Sequence, residues 1–160
     1  MLFRSSKVRG EFREVSGTIT VPADPLKTSA EVVIKAASID TRVEMRDNHL
    51  RSADFLDAEK YPDISFRSTG VARHDGAKLT VAGDLTIKDV TRPVELTAEF
   101  EGVTTSPAAA GGKQVIGFSI TGEIDREDWG ITYNMALEAG GFMVSKTIGI
   151  EIEGEAIRQD

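Results

Sequence analysis

Apolar and polar side chains alternate with period two along most of this chain, the signature of strands with one buried face. Residues 64–72 set Ile64, Phe66, Ser68 and Gly70 against Ser65, Arg67 and Thr69. Residues 78–87 turn Leu79, Val81, Gly83, Leu85 and Ile87 inward, and the Asp75-Gly76 pair between these runs predicts a hairpin. The same rhythm gives Val94, Leu96, Ala98 and Phe100, then Ile116, Phe118, Ile120, Gly122 and Ile124. A last run, 144–156, places Val144, Ile148, Ile150, Ile152 and Ala156 inward and glutamates outward. Upstream, Val32, Ile34 and Ala36 share a face. The first run changes parity between Phe12 and Val15, which predicts a β-bulge near Arg13-Glu14. Seven strands joined by turn-like segments predict an antiparallel up-and-down barrel or a sandwich, as one domain over residues 1–160. The segment "TSPAAAGGK" reads as a loop within it.

One stretch breaks the rhythm. "EMRDNHLRSADFLDAEKYP", residues 44–62, is crowded with charge and carries His49. Residues 43–53 predict about three helical turns with Val43, Leu50, Met45 and Ala53 toward the protein. Asp57 is expected to cap a further turn that Pro62 ends. So thin an apolar stripe predicts a surface-lying helix outside the core.

Composition narrows the function. With 19 Lys and Arg against 26 Asp and Glu the net charge is −7, which argues against a nucleic-acid footprint. There is no cysteine, hence no thiolate nucleophile or Cys-based zinc site. No apolar run approaches the roughly 18 residues of a membrane span, so no stable membrane insertion is expected. The first residues lack a secretory h-region, which predicts a cytoplasmic location; a periplasmic or secreted one follows if the N-terminus is incomplete. No nucleophile elbow, zinc-protease motif, phosphate loop or dinucleotide fingerprint occurs, and a non-enzymatic role is expected.

Six glycines, Gly10, Gly17, Gly70, Gly83, Gly122 and Gly154, fall on the inferred inward face. Either they hollow the barrel for a ligand or they let its strands bend. A hollow version would be lined by aliphatic and aromatic groups. At about 0.8 kcal/mol per buried CH₂, each five-carbon unit of a lipid tail adds roughly 3–4 kcal/mol.

The runs "SKVRGEF", "SGTI", "ASIDT", "RDNHLRSADFLDAEKYPDISFRSTGV", "LTVAGDLTIKDVTRPVEL" and "WGITYNMALEAGG" come in this order over nearly the whole chain. They closely resemble the YceI-like polyisoprenoid-binding family. The resemblance implies an all-β, lipocalin-like, eight-stranded antiparallel barrel, with a short helical insertion near residues 43–60 lying by its opening. It implies an isoprenoid lipid or quinone as ligand, no catalytic cofactor, and a plausible homodimer. One strand that usually begins such proteins, of the form Y-x-I-D-x-x-H-S-x-V-x-F, is missing here. Seven strands leave two unpaired edges. An omitted upstream segment is the favoured explanation, beside a strand from another chain or rearranged first residues.

A chain in such a barrel is expected to touch Phe12, Ile19, Ile34, Phe66, Leu85, Phe100, Phe118 and Ile120 on strands. Leu50 and Phe55 from the insertion, and Trp129, Tyr133 and Phe142 from later segments, complete the set. Arg46, His49, Arg51, Lys88 and Arg92 are candidate headgroup contacts; surface ion pairing is the plainer reading of the cations. His49 is expected mainly to tie the helix to the barrel rim, His74 to be solvated in a turn, and Trp129 to pack structurally or to close over a ligand. Two other functions stand beside lipid carriage: a stress-related interaction protein using the barrel as scaffold, and an enzyme acting on a bound lipid through His49 or nearby carboxylates.

Overall fold

The computed structural model describes residues 7–105, 112–136 and 144–159, apart from the side chain of His74. Its strands are β1 Glu11–Phe12, β2 Val15–Thr20, β3 Ser29–Lys35, β4 Ile39–Asp40, β5 Asp63–Asp75, β6 Lys78–Ile87, β7 Val90–Thr105, β8 Gln114–Asp125 and β9 Thr147–Ile157. One α-helix, α1, spans Glu44–Arg51. Seven strands form an antiparallel sheet in the order β2-β3-β5-β6-β7-β8-β9, curled into a half-barrel, and β1 pairs with β4. Among the described residues β2 and β9 are its edges and do not pair with each other.

The alternation read from the sequence is the alternation of the sheet. On β6, Gly83, Leu85 and Ile87 are buried on the concave face while Lys78 and Asp84 are exposed. On β9, Glu151, Glu153 and Glu155 stand exposed on the convex face, between half-buried Ile150, Ile152, Gly154 and Ala156. The hairpin joining β5 to β6 turns at Gly76 and Ala77, with Asp75 opposite Lys78. Lys88 and Asp89, both at positive φ (52° and 65°), turn β6 into β7 in the left-handed conformation that two-residue hairpins favour.

Three expectations are corrected. The parity change after Phe12 is an interruption rather than a bulge: β1 pairs with β4 and β2 with β3, while a 3-10 turn at Ala36–Ser38 breaks the partner strand opposite. Gly70 faces outward, because the β5–β6 register shifts between Ser68 and Gly70 and brings Val71 opposite Val81. β5 and β7 are longer than their alternation suggested, β7 beginning already at Val90. The middle of "TSPAAAGGK", residues 106–111, lies outside the described residues.

The helical insertion is corrected as well. α1 makes about two turns, and Val43 and Met45 are 46% and 83% exposed rather than turned inward. Ala53 is exposed too. The helix is too polar to bury a stripe; Leu50 is the apolar side chain it packs against the core, and the turns that follow carry Phe55 and Ala58 into it. They join Ala36, Ile64, Leu85, Ile87, Ile124, Trp129 and Ile131 in a cluster that fills one end of the half-barrel. The insertion is therefore a plug. It reaches the core through its turns.

The concave glycines neither hollow the sheet nor merely bend it. A Cβ on Gly83 would strike the Phe66 ring and lie 2.7 Å from the Arg67 carbonyl oxygen. A Cβ on Gly122 would strike Leu96, and one on Gly154 would lie 3.0 Å from the Phe118 ring. Each glycine is a seat for a larger side chain from the neighbouring strand. Gly83→Ala is accordingly expected to cost about 1–3 kcal/mol by overpacking. Gly70→Ala, with open space around its new methyl, is expected to be neutral or to add about 0.4–1 kcal/mol. Urea midpoints of the two variants check the contrast.

Candidate functional site

The core cluster occupies the end where β5 and β7 begin and β6 and β8 finish. Trp129 is 2% exposed there, and its indole N–H donates to the Leu85 carbonyl oxygen over 2.9 Å. Tyr133, Phe55 and His49 meet edge to face, the histidine ring 5.0 Å from Phe55 and 4.8 Å from Tyr133. His49 Nε2 lies 2.9 Å from Asp54 Oδ2, so this ring ties α1 to its following turn and to the segment after Trp129. Phe12, Ile34, Leu50, Phe66 and Tyr133 pack around the cluster, half-buried.

Among the described residues, none from the packed cluster covers the opposite half of the concave face. Ile19, Val71, Val81, Ala98, Phe100, Phe118 and Ile120 line an apolar trough, with Thr28, Ser29, Ala30 and Ser68 along one side. The cavity within it is about 50 Å³. The remainder is open, and Phe100 is 37% exposed. Of the expected ligand contacts, Ile19, Phe100, Phe118 and Ile120 share this trough. Phe12, Ile34, Leu50, Phe55, Phe66, Leu85, Trp129 and Tyr133 belong to the packed end. Phe142 lies outside the described residues.

The expected headgroup contacts gather at the packed end, and most are committed to backbone. Arg46 donates to Thr41 Oγ1 and to the Thr41 carbonyl oxygen, at 2.7 and 2.9 Å. Arg51 donates to the carbonyl oxygens of Ala37 and Ile39. Arg92 donates to the Asp128 carbonyl oxygen over 3.2 Å. Lys88 occupies the β6–β7 turn. Among the described residues, no three of His, Asp and Glu converge as a metal site, and no helix is long and apolar enough to cross a membrane.

Two residues that the alternation could not reveal organise this end. Arg126 is 2% exposed and donates to the carbonyl oxygens of Ile131 and Ser145 at 2.7 and 2.8 Å, and of Val144 at 3.4 Å. It holds both described ends of the 131–145 connection against the core. Asp47, also buried, accepts from the Thr41 amide over 2.8 Å and from its hydroxyl over 2.5 Å. A capped acid-and-arginine pattern in "IDREDW" was the one available signal for Arg126: Asp125 Oδ1 accepts from the Glu127 amide and starts the 3-10 turn Arg126–Trp129, which Gly130 closes at φ 75°.

A second, polar cleft lies between β1, β4 and α1, lined by Arg13, Asp40, Arg42, Asp47, Asn48 and Arg51 among others. Asp40 sits below the ordinary carboxylate range, chiefly because the Arg42 amide donates to it and then because of the Arg13 guanidinium that pairs with it. Burial opposes this in part. Within the cleft Arg13 pairs with Asp40, while Arg51 donates to Asn48 and to backbone and Asp47 accepts from Thr41.

The model of the YceI-like domain matches residues 1–156. The chain belongs to the YceI-like family. Relatives include the UPF0312 protein SA2479 of Staphylococcus aureus strain N315, 38% identical over 151 residues that cover 94% of this chain and 84% of that one. The crystal structure of the Campylobacter jejuni YceI protein superposes with a TM-score of 0.82 at 32% identity, covering 100% of this chain and 90% of that one. BcnA of Burkholderia cenocepacia shares the fold, with a TM-score of 0.80 at 22% identity over 95% of this chain and 89% of its own. YceI-like chains thus carry the curled sheet and the short helix seen here.

Removing the guanidinium of Arg126 leaves buried carbonyls without donors. Arg126→Met is expected to lose about 3 kcal/mol, from roughly 1–3 kcal/mol per unsatisfied group, seen as a lowered urea midpoint. Asp40, with its lowered pKa, stabilises the fold above the ordinary carboxylate range, and this contribution is lost as pH falls below about 4. Asp40→Asn is expected to lower stability at pH 7 and to flatten its decline below pH 4 in thermal melts.

Proposed function

We propose that this YceI-like protein binds a single apolar chain of isoprenoid type, a polyprenyl lipid or quinone tail, without turning it over. The carrying observation is the half of the concave face that the described residues leave uncovered. Ile19, Val81, Phe100, Phe118 and Ile120 form a surface that a folded sheet normally covers, and the protein's own plug stops short of it. Family membership supports the reading.

The cavity in the trough is only about 50 Å³ and Phe100 stands partly open, so a chain lies along an open trough rather than inside a closed tube. Each CH₂ covered contributes about 0.8 kcal/mol, and the flat rings of Phe100 and Phe118 offer wide contact at little conformational cost. The plug at the other end fixes where the chain must stop. The open side supports a role in carriage or storage, since such a trough both takes up and releases its occupant.

Native mass spectrometry of the protein with added polyprenyl lipids tests the proposal. A stoichiometric adduct is expected for the unaltered protein. Ile120→Glu, which places a charge in the trough at a half-buried position, is expected to weaken binding at least about tenfold while the fold persists. A protein that ignores every such lipid, or binds it unchanged in Ile120→Glu, lacks this function.

A further inference from the structure

The concave face is almost devoid of charge. The register runs Val32, Phe66, Leu85 and Arg92 across one row, and Arg73, Leu79, Ala98, Ile120 and Ile152 across another. Among the concave positions of the described strands, only Arg92 and Arg73 carry a charge. They stand at opposite ends. Arg92 lies beside the packed cluster and is tied to Asp128. Arg73 lies at the uncovered end, exposed, in the same row as the trough residues Ala98 and Ile120. It sits two residues beyond Val71, which also lines the trough, a step of about 6.6 Å toward the β5–β6 hairpin. The bulge after Ser68 is what turns Arg73 to this face; without it, the parity of β5 would send Arg73 to the convex side.

Among the described residues Arg73 has no carboxylate partner, whereas Arg13, Lys35, Arg67 and Lys146 do. A guanidinium standing at the rim of an oily surface, without a protein counter-charge, matches the planar oxygens of a phosphate ester. We propose that Arg73 anchors the phosphate or diphosphate headgroup of the chain held in the trough, with the tail crossing Leu79, Ala98 and Ile120 toward Phe118. From β5 to β8 that path spans about 14 Å, three strand spacings. The inference rests on the lipid-binding reading above and adds the headgroup's chemistry and its place, at the end opposite Arg46, His49 and Arg51.

Titrating the full chain with farnesyl diphosphate and with farnesol, which share one tail, separates the two levels. The unaltered protein is expected to bind the diphosphate about tenfold or more tighter than the alcohol, with the difference shrinking as salt rises. Arg73→Gln is expected to abolish that preference and leave farnesol affinity within about twofold, Arg73→Lys to keep only part of it, and Arg92→Gln to keep all of it. Equal binding of both probes by the unaltered protein, or a preference that survives in Arg73→Gln, overturns the anchor while lipid binding stands. Binding of neither probe overturns lipid binding itself. Because Arg73 is exposed, melting curves are expected to coincide for all four proteins, so a lost preference cannot be ascribed to unfolding.

Discussion

A curled sheet with one oily face has to lay that face against something, and here the described residues cover only half of it. Phe55, Ala58, Trp129 and Ile131 come from connections rather than from strands, and they close over Ile64, Leu85, Ile87 and Ile124. Truncating one such buried aromatic to alanine costs about 3–5 kcal/mol in a typical core, so this layer anchors the whole half-barrel. The Trp129 indole fixes its depth by donating to the Leu85 carbonyl oxygen. Arg126 fixes the connection that carries Ile131. Among the described residues nothing in this layer extends over the rest, and the trough is the part of the sheet that the plug does not reach.

Within that frame the glycines set how closely the sheet packs on itself. A ring laid flat over a glycine of the next strand buries its face without lifting the strands apart. Phe66 over Gly83 does this at the packed end, and Phe118 over Gly154 at the open end. The consequence for binding is that the trough floor is smooth and shallow. It presents ring faces and methyl groups to a ligand, and few recesses.

Much of this was legible in the sequence, for a definite reason. Period-two alternation reports which side of a strand meets the core, and it identified the concave residues of β6, β8 and β9. It lost track where the ladder slips: one extra residue after Ser68 reversed the fate of Gly70 and, with it, of Arg73. The helical segment misled because its burial comes from the turns after the helix, where no periodicity applies. Phe55 and Ala58 are the informative residues there; Val43 and Met45 are bystanders. The resemblance carried the topology, but it could not say which end of the barrel is filled. That depends on contacts between residues far apart in sequence, such as Trp129 with Leu85. The cations clustered around "RDNHLR" drew notice by density, yet most serve as donors to nearby carbonyls. Arg126 drew none, though it is the most buried charge described.

The glutamates of β9 bear on the molecule's behaviour in a crowded solution. Glu151, Glu153 and Glu155 line the outer side of a strand that lies at the sheet's edge among the described residues. Backbone groups along such an edge are a template for another strand. Were two copies to zip together there in antiparallel fashion, their carboxylate rows would face one another across the new seam, and like charges opposed in this way repel. The row of carboxylates is thus an electrostatic fence, set against the pairing of this border with a second copy of itself.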